Sequence, residues 1–195
     1  MLPPLPDSRE TSRLTADQQA LLARLRAGDR SAFQTLLRPQ LPSLLALSRR
    51  LVGDQHWAED LVQETLVRAL RGLPRFEGRS SLRTWLLRIL VRLASEPERW
   101  RRRERALPLG DLEIPDHLGS GPDLPARERE LRERLAEAME RLTTRQRTAL
   151  HLRAAEGLDY ATIATIMSCT PAAARMLVMD ARRKVRARLG RHLLP

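Results

Sequence analysis

The sequence predicts an all-α protein made of two small helical domains, and three observations support this. Leu, Ala, Arg and Glu dominate the 195 residues, and these are strong helix formers. Aromatic residues make up only 3% of the chain and β-branched residues do not cluster, so strands are not expected. Residues 106–125 contain four Pro, three Gly and four acidic residues but no basic residue, which is typical of a linker.

The position of this linker predicts the organisation of the whole chain. We expect a flexible tail at 1–14, a helical domain at 15–105, the linker at 106–125 and a second helical domain at 126–195. A hydrophobic fraction of 42% is enough for packed helical cores in both domains.

The first domain is expected to contain a series of short helices bounded by capping residues, glycines and prolines. Glu59 and Asp60 lie near the start of the third predicted helix, where the helix dipole favours acidic side chains. The predicted bounds are Thr15 to Gly28, then Asp29 or Ser31 to the interruptions at Pro39 and Pro42, then about Gln55 to Leu70, and finally Leu82 to Ala94 after a cap at Ser80 or Ser81.

The second domain is expected to contain four helices, of which the last two form a helix-turn-helix. A short helix, a tight turn at 168–170 and a longer helix that begins with Pro171 follow the pattern of that motif. An ordinary helical hairpin is the alternative. The predicted bounds are about Ala126 to Arg141, Thr144 to Ala155, Tyr160 to Met167 with Asp159 as cap, and Pro171 to about Leu189 with Thr170 as cap.

Charge and cysteine content restrict the class of function. The net charge is +11, and Lys184 is the only lysine. A GC-rich genome explains the preference for arginine over lysine, but it does not explain the excess of basic over acidic residues. This excess favours a nucleic-acid partner over a membrane surface. The single cysteine, Cys169, excludes an internal disulfide and gives no metal cluster. No apolar run approaches ~20 residues, and Asp7 and Glu10 interrupt the N-terminus, so we expect a cytoplasmic protein without membrane insertion.

Several separate strings then indicate a family. GDRSAF (28–33), RRLVGDQHWAEDLVQETLVRAL (49–70) and RFEGRSSLRTWLLRI (75–89) resemble region 2 of the extracytoplasmic-function (ECF) sigma factors of bacterial RNA polymerase. RLTTRQRTALHLRAAEGLDYATIATIM (141–167), followed by a helix that starts with proline, resembles region 4. The resemblance implies an alternative sigma factor that binds the clamp helices and flap of core polymerase, promoter DNA and an anti-sigma factor, with no cofactor, metal or catalytic residue.

The resemblance assigns the segment DLVQET to the contact with core polymerase. An amphipathic helix with an acidic exposed side can meet a basic helical surface, although a solvated acidic face is the alternative. The residues assigned to this contact are Asp60, Leu61, Val62, Gln63, Glu64 and Thr65.

The resemblance also assigns residues around RFEGRSSLRTW to the melted minus-ten element. Unstacked bases need arginines for the backbone and aromatic platforms, but Phe76 and Trp85 are equally explained by core packing, and a basic run such as 99–105 can be a plain solvated face. The residues assigned are Arg75, Phe76, Glu77, Gly78, Arg79, Ser80, Ser81, Arg83, Trp85, Arg88, Arg99, Arg101, Arg102 and Arg103.

In region 4, the resemblance places the last helix in the major groove at the minus-thirty-five element, with Arg175 as the leading candidate for a base or phosphate contact. The residues assigned to this element are Thr170, Pro171, Ala172, Ala173, Arg175, Met176, Met179, Arg182 and Arg183.

This sequence departs from the family pattern at functionally important places. Val91 and Arg92 stand where an Arg-Asn pair is usual, and Leu177 and Asp180 replace expected basic residues. Two interpretations of the last helix stay open: it reads an unusual upstream element, or it binds a protein. The alternatives to a sigma factor are a sigma-like protein that binds polymerase or an anti-sigma partner and reads promoters poorly, a plain helix-turn-helix regulator, and, least supported, an enzyme.

Overall fold

The computed structural model describes residues 14–29, 31–95 and 126–190. Every regular element within these ranges is helical, as the sequence predicts. The chain divides into two compact units, Met1–Pro115 and Asp116–Pro195. The predicted linker, the predicted tail up to residue 13, and the arginines at 99 and 101–103 lie outside the described residues.

Helices of the first unit begin at capping residues that can be recognised in the sequence. Thr15 caps α1 through a capping box with Gln18, since each side chain bonds the other residue's backbone N–H. Asp54 and Ser81 cap α4 and α5 by accepting bonds from backbone N–H groups one turn later. The helices are α1 (Ala16–Arg26), α2 (Ser31–Leu37), α3 (Leu41–Val52), α4 (Gln55–Gly72) and α5 (Leu82–Ala94), with 3-10 turns at Arg38–Gln40 and Leu73–Arg75.

Helices α3, α4 and α5 pack against one another to form the leucine-rich core of this unit. Leu47, Leu61 and Leu86 are completely or almost completely buried at the contacts, and burial of each such side chain contributes about 1.5–3 kcal/mol. The buried Ser48 hydroxyl donates a 2.7 Å hydrogen bond to the Ala58 carbonyl and so links α3 to α4. The outer face of α4 is therefore held in a fixed orientation.

Over residues 126–190, the second unit has four helices, of which the last contacts the other three. Thr143, Asp159 and Thr170 provide N-terminal caps, and Pro171 occupies the first turn of the last helix. The helices are α6 (Ala126–Glu140), α7 (Thr144–Ala154), α8 (Tyr160–Met167) and α9 (Pro171–Leu189).

Helices α8 and α9 have helix-turn-helix geometry. Their axes bend by 99° across a three-residue break, which is the crossing expected for this motif. Ser168 closes α8 in the left-handed region, with φ at 52°, and Thr170 opens α9. Ala174, Val178 and Ala181 bury one side of α9.

Two polar contacts hold the later turns of α9 on the rest of its unit. Lys184 Nζ donates to Gln146 Oε1 at 2.9 Å, and Arg188 forms a 2.9 Å ion pair with Glu137. Both side chains therefore have partners within the chain.

Within the described ranges, no single helix is long and apolar enough to span a membrane. Only α8 and α9 taken together across their bend satisfy the same criteria of length and composition.

Candidate functional site

The segment predicted to contact polymerase, residues 60–65, divides into a buried half and an outer half. Leu61 and Thr65 are 1% and 0% exposed, and Val62 is also 0% exposed. The Thr65 hydroxyl donates a 2.7 Å bond to the Leu61 carbonyl in the same helix. The side chains of these three residues lie in the core, and the assignment of the segment to the contact with core polymerase stays a prediction. Asp60 is exposed, and Gln63 and Glu64 are partly exposed.

The outer side of α4 also carries an aromatic residue that the sequence reasoning missed. Trp57 is 37% exposed and shares one face of the helix with Asp60 and Glu64, at spacings of three and seven residues. Arg68 forms a 2.9 Å ion pair with Glu64 and partly neutralises it. We call Trp57, Asp60, Gln63 and Glu64 the acidic face of α4. The helical spacing between Trp57 and Asp60 was the signal that could have identified it.

The loop between α4 and α5 is fixed by contacts from α1. Arg26 donates hydrogen bonds to the carbonyls of Pro74 and Phe76, at 3.1 and 2.8 Å. Gly78 adopts φ +73°, a conformation that disfavours a side chain, and a Cβ there would lie 3.2 Å from Leu14. The loop predicted to hold the minus-ten element is therefore shaped by its own unit.

The two aromatic residues of this segment pack on each other. The rings of Phe76 and Trp85 have centroids 4.9 Å apart, and Gly72 leaves room for the Trp85 ring, because a Cβ there would lie 3.0 Å from it. Phe76 is only 7% exposed, which agrees with the core-packing alternative, and its assignment to the minus-ten element stays a prediction. Trp85 is half-buried and keeps part of its ring accessible.

The polar residues of the segment differ in how accessible they are. Arg75, Glu77, Arg79 and Arg88 are exposed, and Glu77 pairs with Arg79 at 2.6 Å. Arg83 is half-buried and lies 3.3 Å from the Ser43 hydroxyl. Ser80 is partly exposed.

Ser81, which is also assigned to the minus-ten element, is engaged within its own helix. It is almost buried, and its hydroxyl caps α5 and bonds Thr84. Ser81 therefore acts as a helix cap, and its assignment to the minus-ten element stays a prediction. Among the described residues, the candidates that are exposed or partly exposed are Arg75, Glu77, Gly78, Arg79, Ser80, Arg83, Trp85 and Arg88.

The residues predicted to face the minus-thirty-five element lie on the outer side of α9. Thr170 accepts a bond from the Ala173 N–H as the helix cap, and Ala173 is half-buried. The residues that are exposed are Thr170, Pro171, Ala172, Arg175, Met176, Met179, Arg182 and Arg183.

Asp180, which stands where a basic residue was expected, has a cationic partner. Arg183 lies 2.9 Å from it in an ion pair one turn along α9. The pair reduces the repulsion that an isolated carboxylate would exert on a phosphate. The same pair neutralises part of the positive charge that Arg183 could offer to a phosphate.

The sequence matches two protein-family models, Sigma-70 region 2 over residues 36–106 and Sigma-70 region 4 over residues 132–185. Among curated proteins, it is 33% identical to the RNA polymerase sigma-H factor of Pseudomonas aeruginosa, over 88% of this chain and 94% of that protein. It is 38% identical to the ECF RNA polymerase sigma factor EcfG of Rhodopseudomonas palustris, over 76% of this chain and 80% of that protein.

A solved structure agrees with these matches. The sigma factor RpoE in complex with the anti-sigma factor NepR, from Bartonella quintana, is 28% identical, with a TM-score of 0.60 over 80% of this chain and 96% of that one. The chain therefore belongs to the ECF group of the sigma-70 family of RNA polymerase sigma factors. Its regions 2 and 4 serve promoter recognition in transcription initiation.

Proposed function

We propose that this sigma factor binds core RNA polymerase through the acidic face of α4, and promoter DNA through two further surfaces. The exposed arginines of the loop 75–81 and of α5, together with Trp85, contact the melted minus-ten strand. The outer side of α9 contacts the minus-thirty-five duplex. The chain acts by binding rather than by catalysis, in the cytoplasm where its polymerase works.

The observation that carries this proposal is the separation of charge between two helix faces. The acidic face of α4 in the first unit offers Asp60 and Glu64, which complement a basic protein surface. The outer side of α9 in the second unit offers Arg175 and Arg182, which complement phosphate and base edges. One chain with both faces is suited to hold polymerase and promoter at once.

We also propose an anti-sigma partner for this chain. The support is the likeness to the Bartonella sigma factor, whose structure was solved together with its anti-sigma factor. An anti-sigma factor that covers the acidic face of α4 would compete directly with polymerase.

Run-off transcription tests the proposed function. Core polymerase reconstituted with the full chain is given a pool of genomic templates, and the start points of the transcripts are mapped. We expect a small set of promoter-specific transcripts that core polymerase alone does not make. If no such transcript appears, the chain is not a functional promoter-reading sigma factor.

A second candidate function is that of a regulator that binds polymerase but reads promoters poorly. One observation favours it: between Pro171 and Met179, Arg175 is the only side chain with strong hydrogen-bonding groups. Binding to core polymerase without any specific transcript, in the same experiment, would support this candidate.

A further inference from the structure

Methionines occupy the outermost part of α9, on the side opposite its core. Met176 and Met179 are 54% and 50% exposed, whereas Ala174, Val178 and Ala181 are buried on the other side. Ala172, Met176, Met179 and Arg183 follow one another at spacings of three and four residues, so they form a single stripe. Methionines that only filled the core would be covered, and these two are not.

This stripe lies in the half of the helix that approaches base edges. In helix-turn-helix proteins, the N-terminal residues of the second helix enter the major groove. In this half of α9 only Arg175 can make a directional hydrogen bond to a base. The remaining exposed residues of this half, Pro171, Ala172, Met176 and Met179, can therefore read bases only by apolar contact. The C5-methyl group of thymine is the apolar group at base edges in the major groove.

The surroundings of the stripe favour nucleic acid over an apolar protein partner. The exposed side chains of Arg182, Arg183 and Arg186 follow Met179 within two turns of α9. Arginines thus border the exposed methionine on the side toward the helix C-terminus, and Arg175 lies next to Met176. DNA complements this arrangement, because its phosphates can pair with the arginines while apolar groups on its bases contact the methionine side chains.

We propose that Met176 and Met179, with Ala172, read thymine methyl groups in the minus-thirty-five element, so that this sigma factor prefers an upstream element with thymines at the positions these side chains face. The proposal rests on the proposed function and adds a specificity determinant to it. Methionine suits this role because its unbranched, polarisable side chain adapts to the position of the methyl group.

Replacement of thymine by uracil tests the proposal, because it removes the methyl group alone. A promoter that the holoenzyme transcribes is rebuilt with deoxyuridine at single upstream thymines, and formation of the open complex is measured for each template. We expect a loss of about fourfold at one or more positions, since burial of one methyl-sized group contributes about 0.8 kcal/mol. With Met176→Ala or Met179→Ala, we expect that loss to disappear at the thymine that the removed side chain faces.

The matched control is Leu131→Ala, which removes an exposed apolar side chain from α6 in the same unit. It should keep the full uracil effect. Equal thermal unfolding of all variants, expected because both methionines are exposed, excludes misfolding as the cause of any loss.

Two results would overturn the inference while the proposed function survives. One is a set of active promoters at which uracil never weakens binding. The other is a uracil effect that is unchanged in both methionine variants. If those variants also lose affinity for core polymerase, the stripe contacts protein and not DNA. Absence of any promoter-specific transcript from the unaltered holoenzyme would overturn both the proposed function and the inference.

Discussion

Single residues explain much of how the first unit is held together, and Asp29 is the most distinctive. Its carboxylate accepts bonds from the Ser31 hydroxyl at 2.6 Å and backbone N–H at 3.0 Å, and it forms an ion pair with Arg24 at 2.7 Å. The Ser31 side chain and, next, Arg24 lower the pKa of Asp29 from 3.8 to about 2. The junction between α1 and α2 therefore depends on an ionised carboxylate.

This pKa shift predicts a dependence of stability on pH. The folded-state pKa of Asp29 lies below its unfolded value, so its stabilising effect is complete above about pH 3.8 and is lost as the pH falls toward 2. We expect the stability difference between the wild type and Asp29→Asn, measured by urea unfolding, to vanish over this range. In NMR titrations, Ser31→Ala should raise the pKa of Asp29. Titration of wild-type Asp29 near 3.8 would contradict this account.

We propose Arg175 as the residue that makes the hydrogen-bonded part of upstream recognition. It is the one basic residue early in α9 and is exposed. We expect Arg175→Ala to weaken binding of holoenzyme to the upstream duplex by about 1–3 kcal/mol, and to relax the preference at one base pair. Arg141→Ala, which removes the same charge from an exposed position after α6, is the control for the nonspecific electrostatic contribution. Unchanged upstream binding by Arg175→Ala would show that the recognition-helix assignment is wrong.

Among the elements, α3 (Leu41–Val52) was not predicted, whereas the boundaries of several other helices were well predicted because they depend on neighbours in sequence. The bounds of α5, α8 and α9 agree with the prediction at both ends, since Ser81, Asp159 and Thr170 act on backbone groups three residues away. Such caps need only the backbone of their own helix and no tertiary contact. Helix α1 ends at Arg26, two residues before the predicted Gly28, because the backbone N–H of Ala27 closes the last turn.

The division of a motif between core and surface was harder to predict, because it depends on distant contacts. Thr65 is polar, yet it is buried because its hydroxyl is satisfied within its own helix. The burial of Phe76 depends on Arg26 and Trp85, which come from other elements. Conversely, Met176 and Met179 remain exposed because small residues already fill the buried side of α9.

The two halves of the DLVQET segment are expected to respond differently to mutation. Asp60→Arg should lower the affinity for core polymerase about tenfold or more, because it reverses a charge on the acidic face of α4, while stability changes little. Leu61→Ala should lower the free energy of unfolding by about 2–5 kcal/mol, because it leaves a cavity between α4 and its neighbours. Binding titrations and chemical denaturation measure the two effects.

Glu130→Arg is the matched control for Asp60→Arg, since it reverses an exposed charge on α6 in the other unit. It should leave the affinity for core polymerase unchanged. Equal loss of affinity in both variants would mean that net charge, and not the acidic face of α4, determines binding.

At the scale of the whole molecule, function depends on two units with complementary chemistry in one chain. The net charge of +11 favours association with any DNA in a salt-dependent manner, so charge alone gives no promoter specificity. Specificity requires that the contacts of both units form together with those of polymerase. We therefore expect weak and unspecific DNA binding by the free chain.

The most direct test of this claim is the fluorescence anisotropy of a labelled promoter fragment at physiological salt. The fragment is one that directs run-off transcription, and it is titrated with the chain alone, with core polymerase alone and with both together. We predict a stable complex that distinguishes the promoter from a scrambled fragment only when chain and core are both present. Equally specific binding by the chain alone would identify an independent helix-turn-helix regulator and contradict joint binding of promoter and polymerase.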